Sequence, residues 1–394
     1  MKLKFYLILF SMFLFSCTQN VVRNKNEKAG KLVATHYLVQ CGIKKIPIDD
    51  DTPPMPLSTQ MIEDAVGNRI LTTLNTYKNA IYFYDYESER QIRKICYEKE
   101  GPNGIPRFVG YYIINMDSIY VYNNMMPEAV LTDSSGIVKQ RISLWNEKRQ
   151  DSPLYFPQYS FSTIIPFMRI GDKLILTGFS PTPLSSQLID KFRFTACIDL
   201  KTGEAEFLYT YPEELYGSDS NWEGGIATLV YPELTPAGEI IHSFSVSHNL
   251  YIAPWNSTNY KTIYGGSNNA STIQSFDSDP KATPREKMIL QNVQEDLYTA
   301  IRYDPYRKVY YRIFWQGISG ITSGVALVKK PIAVIIMDEQ FNYMGETVIG
   351  TGEQWNWKNF FVTREGLNIE YIGEDDFDED YLTFKIFNVE KIDK

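Results

Sequence analysis

Along most of this chain, apolar positions come in short runs that alternate aromatic and aliphatic residues, each run broken by a polar turn and answered by a second run. Such period-two patterning with turn residues between the runs predicts antiparallel β-hairpins. Six copies can be laid out: IYFYDYESERQIRKI (81–95), EAVLTDSSGIVKQRISL (128–144), FTACIDLKTGEAEFLYT (194–210), NLYIAPWNSTNYKTIY (249–264), IAVIIMDEQFNYMGETVI (332–349) and FKIFNVEKIDK (384–394). A repeat at this spacing signals stacked or radially arranged units, each too small to bury its own apolar face.

Further strand pairs are expected between the copies: 111–116 with 118–122, 164–169 with 173–178, 228–231 with 240–246, 300–303 with 309–315, and 360–363 with 367–372. Gly171-Asp172, Ala237-Gly238, Asp304-Pro305 and Glu365-Gly366 supply turn chemistry between most of them. Three copies run into glycine-containing loops at 100–104, 264–268 and 349–352, where a chain leaving an outer strand would cross to the next unit. The pattern predicts an all-β fold, a six-bladed β-propeller, with seven blades as the alternative count.

The sixth copy ends without an outer partner. Residues 32–39 (LVATHYLV) are free of Gly and Pro and rich in aliphatic and β-branched side chains, so they are expected to pair with residues 383–389 and close the ring. Residues 145–160 and 265–296 read as polar insertions at the loop faces, and residues 283–297, opening on Thr, Pro and Glu, as one short helix.

The first seventeen residues have a different character. Lys2 and Lys4 precede an apolar stretch from Phe5 to Phe15, followed by Ser16 and Cys17. The stretch is shorter than the roughly 20 residues that span a bilayer, and it fits a cleaved secretory signal. The segment resembles a lipobox, which implies lipidation of Cys17 after cleavage. The expected organisation is a signal at 1–16, a polar flexible tether at 17–30 and a propeller over 31–394. Thr18 after Cys17, in place of aspartate, argues by analogy for the outer membrane. A tether richer in basic than acidic residues favours its periplasmic side over the cell surface.

The lipobox, the segment FYDYESERQIRKICYEKEGPNGI and the later ETVIGTGEQWNW together resemble an uncharacterised family of Bacteroides-type lipoproteins, a domain of unknown function similar to six-bladed β-propellers. The resemblance covers nearly all of the chain beyond the signal and implies a fold, but no activity.

Composition narrows the partners. The chain carries 39 basic and 47 acidic side chains, a formal charge of −8, and loss of Lys2 and Lys4 makes it two units more negative. Such a chain repels phosphate backbones, and no nucleic-acid partner is expected. Aromatic residues make up 14% of the sequence, including 28 tyrosines, which suits pleated surfaces. Cys41, Cys96 and Cys197 show no CxxC spacing; they read as strand or core residues, and the sequence chooses no disulfide among them.

No GxSxG elbow, GxxxxGK[ST] loop or HExxH motif occurs in the sequence. His242 and His248 would share one face of a continuous strand, but ordinary strand or loop histidines are the expected reading, with no metal site and no cofactor. The acidic run at 374–380 reads as a solvated loop, since it lacks the glycine and distal glutamate of a calcium loop.

Paired carboxylates would not announce themselves by spacing. Asp219, Glu223 and Glu233 flank the sequence NWEGG and are the acids to inspect. Trp222, Trp255, Trp315, Trp355 and Trp357 lie near expected strand ends, where they either stack on a ligand or wedge between blades. Trp355 and Trp357 are expected on the same side of an extended segment. Arg107 and Arg302 are candidates for an anion site. The expected function is a lipid-anchored, noncatalytic binding or interaction module for a glycan or an envelope protein. A carbohydrate-active enzyme using loop carboxylates, and an envelope sensor or assembly scaffold, stand as alternatives.

Overall fold

The structure is a computed structural model that describes residues 21–145, 156–219, 221–322, 326–376 and 378–393. The signal segment and Cys17 lie outside these residues. Six antiparallel sheets of four strands each dominate the fold, with one further two-stranded pairing of Arg23–Asn24 with Ile273–Gln274. Every four-stranded sheet runs from an innermost to an outermost strand, which we letter A to D. No seventh four-stranded sheet is found among the described residues.

Blade 1 comprises Thr59–Glu63, Arg69–Asn75, Ala80–Asp85 and Gln91–Cys96. Blade 2 comprises Phe108–Asn115, Ser118–Asn123, Glu128–Thr132 and Val138–Ser143. Blades 3 and 4 are built from Met168–Ile170, Lys173–Thr177, Thr195–Asp199 and Ala205–Leu208, then Val230–Leu234, Glu239–Phe244, Asn249–Pro254 and Lys261–Tyr264. Blade 5 comprises Leu297–Asp304, Val309–Trp315, Pro331–Asp338 and Tyr343–Thr351.

The sixth blade takes Trp355–Val362, Leu367–Tyr371 and Tyr381–Lys391 from the end of the chain, and His36–Pro47 from its beginning as strand D. The ladder between the two ends runs from His36 opposite Lys391 to Pro47 opposite Tyr381, with one irregularity between Gln40 and Gly42. The paired strand thus starts four residues later than the expected 32–39 and extends to Pro47. Thr35 is instead bonded through its N–H to Met344 O on blade 5.

The outermost strands are the more exposed ones. Strand D of blade 1 is exposed at every position but Ile95, whereas strands B and C hold the buried runs Leu71–Asn75 and Ala80–Tyr84. Middle strands have a neighbouring blade on both faces, and doubly covered strands lose alternation. Tyrosine fills much of that space: Tyr82, Tyr84, Tyr122, Tyr209, Tyr310 and Tyr311 are fully buried.

Because each blade is a meander, its A–B and C–D hairpins fall on one face of the ring, and its B–C turns and the blade-to-blade connections fall on the other. We call these the hairpin face and the connection face. The helix Arg285–Gln294 belongs to the connection between blades 4 and 5 and lies within the expected 283–297. Residues 21–26 are also held on the connection face: Val22 exchanges hydrogen bonds with Ser275, Asn24 Nδ2 donates to Val246 O, and the buried Asn26 donates to Ser267 O and Ala270 O. From Val21 onward the expected tether is therefore packed against the body.

The three cysteines all lie in strands and carry free thiols; Cys41 and Cys96 are exposed, and only Cys197 is buried. Burial pushes the Cys197 thiol up to about 11.

Candidate functional site

All six innermost strands converge on the ring axis, and the hairpin-face half of the channel is a cavity of about 280 Å³. Its walls include Gln60 and Met61 from blade 1, Tyr111 and Tyr112 from blade 2, Met168 and Arg169 from blade 3, Glu233 and Leu234 from blade 4, Arg302 from blade 5, and Phe360 and Phe361 from blade 6. Arg169, Glu233, Leu234, Arg302, Phe360 and Phe361 lie near the A–B ends of their strands, which sets the cavity towards that end of the axis.

The other end is closed by the segment entering blade 3. Residues 164–167, expected as part of an inner strand, turn across the channel instead; the regular strand begins only at Met168. Gly110 makes room for the crossing, since a Cβ there would meet Phe161 Cβ at 2.4 Å. Thr163 then ties the crossing to three blades. Its N–H donates to Leu57 O at 3.1 Å, its Oγ1 accepts from Thr59 N at 2.8 Å and donates to Asn359 Oδ1 at 3.0 Å, and its carbonyl accepts from Arg302 Nη2 at 2.7 Å.

Behind Asn359 the network continues to Glu370, an acid embedded in the apolar strand B of blade 6. Asn356 and Asn359 both donate to Glu370 Oε2, at 2.6 and 2.9 Å. Between them the ladder skips, Asn356 facing Glu370 and Phe360 facing Ile369, so residues 357–359 bulge from the innermost strand. Burial raises the Glu370 carboxyl to about 8, against the lowering influence of its two asparagine donors. At neutral pH the group is mostly protonated, and a neutral acid costs far less to bury than a carboxylate.

The cavity's charged groups are Arg169, Glu233 and Arg302. Glu233 pairs with Arg302 Nη1 at 3.1 Å and accepts from the backbone N–H groups of Leu234 and Tyr303. Arg169 is exposed at the mouth, where its Nε donates to Gly171 O at 2.8 Å. Apolar walls from Met61, Phe167, Met168 and Phe361 surround these groups.

Most of the other sequence candidates are placed elsewhere. Glu223 accepts a hydrogen bond from Asn292 on the connection-face helix, and burial raises its carboxyl above the usual range. Asp219 bridges to Ser185. Asp219, Glu223 and Glu233 therefore do not converge, and the acid pair they could have formed is not assembled.

Trp222, Trp315, Trp355 and Trp357 are 4–8% exposed, so they offer no open ring face. Wedging between strands and blades is their observed role: Trp315 packs on Trp357 at 5.3 Å, and Trp355 packs edge-on to Tyr371 at 4.8 Å while its Nε1 donates to Ile349 O. Trp355 and Trp357 thus serve different neighbours. Trp255 is half-buried under the Lys173 ammonium, 5.3 Å from its ring. Arg107 is exposed outside the cavity lining, and Arg302 alone of the two arginines reaches the axis.

His242 and His248 make separate contacts. His248 Nε2 donates to Asn24 O at 3.0 Å, which leaves Nδ1 to accept from Tyr298 OH at 2.8 Å. His242 Nδ1 contacts Tyr251 O at 3.3 Å. No cluster of three or more His, Cys, Asp or Glu suited to a metal is found among the described residues. In the acidic run, Asp376 pairs with Lys45 and Asp375 accepts from Tyr371 OH, while residue 377 lies outside the described residues.

Six four-stranded meanders around a one-ended axial cavity define the class: a six-bladed β-propeller. The sequence matches the family described as Domain of unknown function (DUF4221) over residues 38–348, and the chain belongs to that family. A member of the family from Bacteroides vulgatus superposes with a TM-score of 0.77 at 20% identity, covering 91% of this chain and 99% of its own. A putative exported protein from Bacteroides fragilis superposes with a TM-score of 0.55 at 11% identity, covering 90% of this chain and 96% of its own. No curated protein matches the sequence. No helix among the described residues is long and apolar enough to cross a membrane.

Proposed function

We propose that this chain is a noncatalytic binding module of the cell envelope, anchored by lipid at Cys17 and taking its ligand in the axial cavity. The observation that carries the reading is the cavity itself: six strands contribute to it, one end is plugged, and Arg169 stands exposed at the mouth. Its single acid, Glu233, is engaged by Arg302. With one paired carboxylate and no second acid beside it, the lining favours binding over acid-pair hydrolysis. A ligand with an apolar body and a carboxylate or other anionic group fits this lining best, the guanidinium meeting the anion.

In the same reading, the terminal strand His36–Pro47 holds the ring shut. The packed residues 21–26 leave only 17–20 as a tether, and the molecule sits on the periplasmic side of the outer membrane. Uronic-acid oligosaccharides and short acidic peptides are the ligands to test by thermal unfolding of the chain from residue 21. A ligand that binds the folded state raises Tm by mass action. The shift should appear with wild type and vanish with Arg169→Ala; no shift with any anionic ligand, or an undiminished one in the variant, sinks the cavity reading.

A further inference from the structure

The connection face differs from the hairpin face in its exposed apolar side chains. Met55 (49% exposed) and Leu57 (54%) lie on the connection into blade 1, and Tyr77 (75%) on that blade's B–C turn. Met125 (60%) and Met126 (63%) occupy the B–C turn of blade 2, and Trp145 (51%) begins the connection out of it. On the hairpin face Val66, Ile137 and Tyr306 stand on three separate hairpins, and Val33 (77%), Tyr37 (39%) and Ile392 (45%) lie at the C–D corner of blade 6. Contiguous exposed apolar groups mark surfaces that meet something other than water.

The chain also leaves the body on the connection face. Val22 is bonded to Ser275 and Asn24 to Val246, across the ring from the Met125–Met126 turn. Only residues 18–20 separate Cys17 from Val21, and the four residue-to-residue steps between them span at most about 14 Å. A lipid at Cys17 therefore cannot be placed far from this face.

We propose that the connection face lies against the bilayer, with the apolar residues of blades 1 and 2 entering the headgroup region on one side of the ring and the lipidated Cys17 on the other. The proposal rests on the lipid-anchor reading above. Methionine, tryptophan and tyrosine suit that interface, combining an apolar body with adaptability or a polar edge. Because middle strands mostly of 5–8 residues stand between the two faces, the mouth of the axial cavity is held roughly 15–25 Å from the lipid, open to the aqueous side.

The test uses the full chain purified from membranes with its anchor. Mass spectrometry of the N-terminal peptide first reads whether Cys17 is acylated; an unmodified Cys17 overturns both the anchor reading and the orientation. The acylated chain is then placed in vesicles of phosphatidylethanolamine and phosphatidylglycerol carrying a headgroup nitroxide. In a Cys41→Ser, Cys96→Ser background, a fluorophore is attached at Met126→Cys or at Tyr306→Cys. The expected result is quenching several-fold stronger at position 126 than at 306. Equal or reversed quenching on an acylated chain overturns the orientation alone and leaves the anchor standing; it would assign the apolar face to a protein partner. If Met126→Cys fails to fold, Tyr77→Cys on the neighbouring blade gives the same reading.

Discussion

The hydroxyl of Thr163, on the connection between blades 2 and 3, donates at 3.0 Å to Asn359 Oδ1 on the innermost strand of blade 6. One small side chain thereby links the plug of the channel to the bulge that Glu370 holds in place. Replacing it with valine keeps the shape and removes both hydrogen bonds, leaving Thr59 N–H and Asn359 Oδ1 unpartnered in a buried setting. We expect Thr163→Val to lose about 1–3 kcal/mol of unfolding free energy in a denaturant titration, and Thr163→Ser to stay close to wild type. A neutral Thr163→Val would show that the plug is held by packing alone.

Glu370 makes stability depend on pH in a definite direction. Its folded pKa, about 8, lies above the ordinary 4.5 of a glutamate. The folded state therefore binds the extra proton between these values, and stability from this group falls as pH rises from about 4.5 to 8. Glu370→Gln keeps an acceptor for Asn356 and Asn359 and cannot ionise. Its Tm relative to wild type should climb steadily from pH 5 to pH 9; a difference that stays flat contradicts the assignment.

The opposite slope belongs to His248. Burial lowers its imidazole from 6.5 to about 4, against the raising influence of the Asn24 carbonyl, while the Tyr298 hydroxyl contacts Nδ1. Its contribution is complete above about 6.5 and is lost as pH falls towards 4, because the unfolded chain takes up the proton first. His242, lowered to about 3 by the same cause, acts in the same direction. The stability gap between wild type and His248→Gln should accordingly be widest near pH 7.5 and narrower at pH 5, read by urea unfolding at the two pH values.

Arg312 is fully buried between blades 4 and 5, where its guanidinium donates to Ser243 Oγ and to the carbonyls of Gly265 and Ser247 at 2.8–3.0 Å, and stacks over Tyr298 at 4.0 Å. A lysine offers a point charge in place of a planar fork and cannot satisfy these acceptors together. Arg312→Lys should lose about 2–4 kcal/mol, in the range for a buried charged hydrogen-bond network left incomplete. A loss below about 1 kcal/mol would mean that water or relaxation replaces the missing donors.

Much of the architecture was legible because hairpin patterning is local. Turn residues such as Gly171-Asp172 and Glu365-Gly366 stand where the structure has A–B hairpins, and strands such as Ser118–Asn123 and Val309–Trp315 fall within a residue or two of their expected bounds. The site was far less legible. The cavity draws one to three residues from each of six distant strands, and nothing in the neighbourhood of Gln60, Thr163 or Arg169 distinguishes them from ordinary strand and loop residues. Glu370 and Arg312 did leave a mark, each being a lone charge inside an apolar run, LNIEY and VYYRIFW. The tryptophan candidates were ambiguous for a physical reason: large rings near strand ends can face a ligand or fill the wedge-shaped spaces between blades, and four of the five are buried here.

The strand His36–Pro47 has one further consequence, and it concerns time. Its partner, Tyr381–Lys391, follows the other five blades in the chain, so an early segment waits for all of them to be made before it can pair. Until then blade 6 does not exist and blades 1 and 5 each expose a flank. The ring is therefore expected to stay open until residues 381–391 are made, and such a delay keeps the chain threadable for export across a membrane.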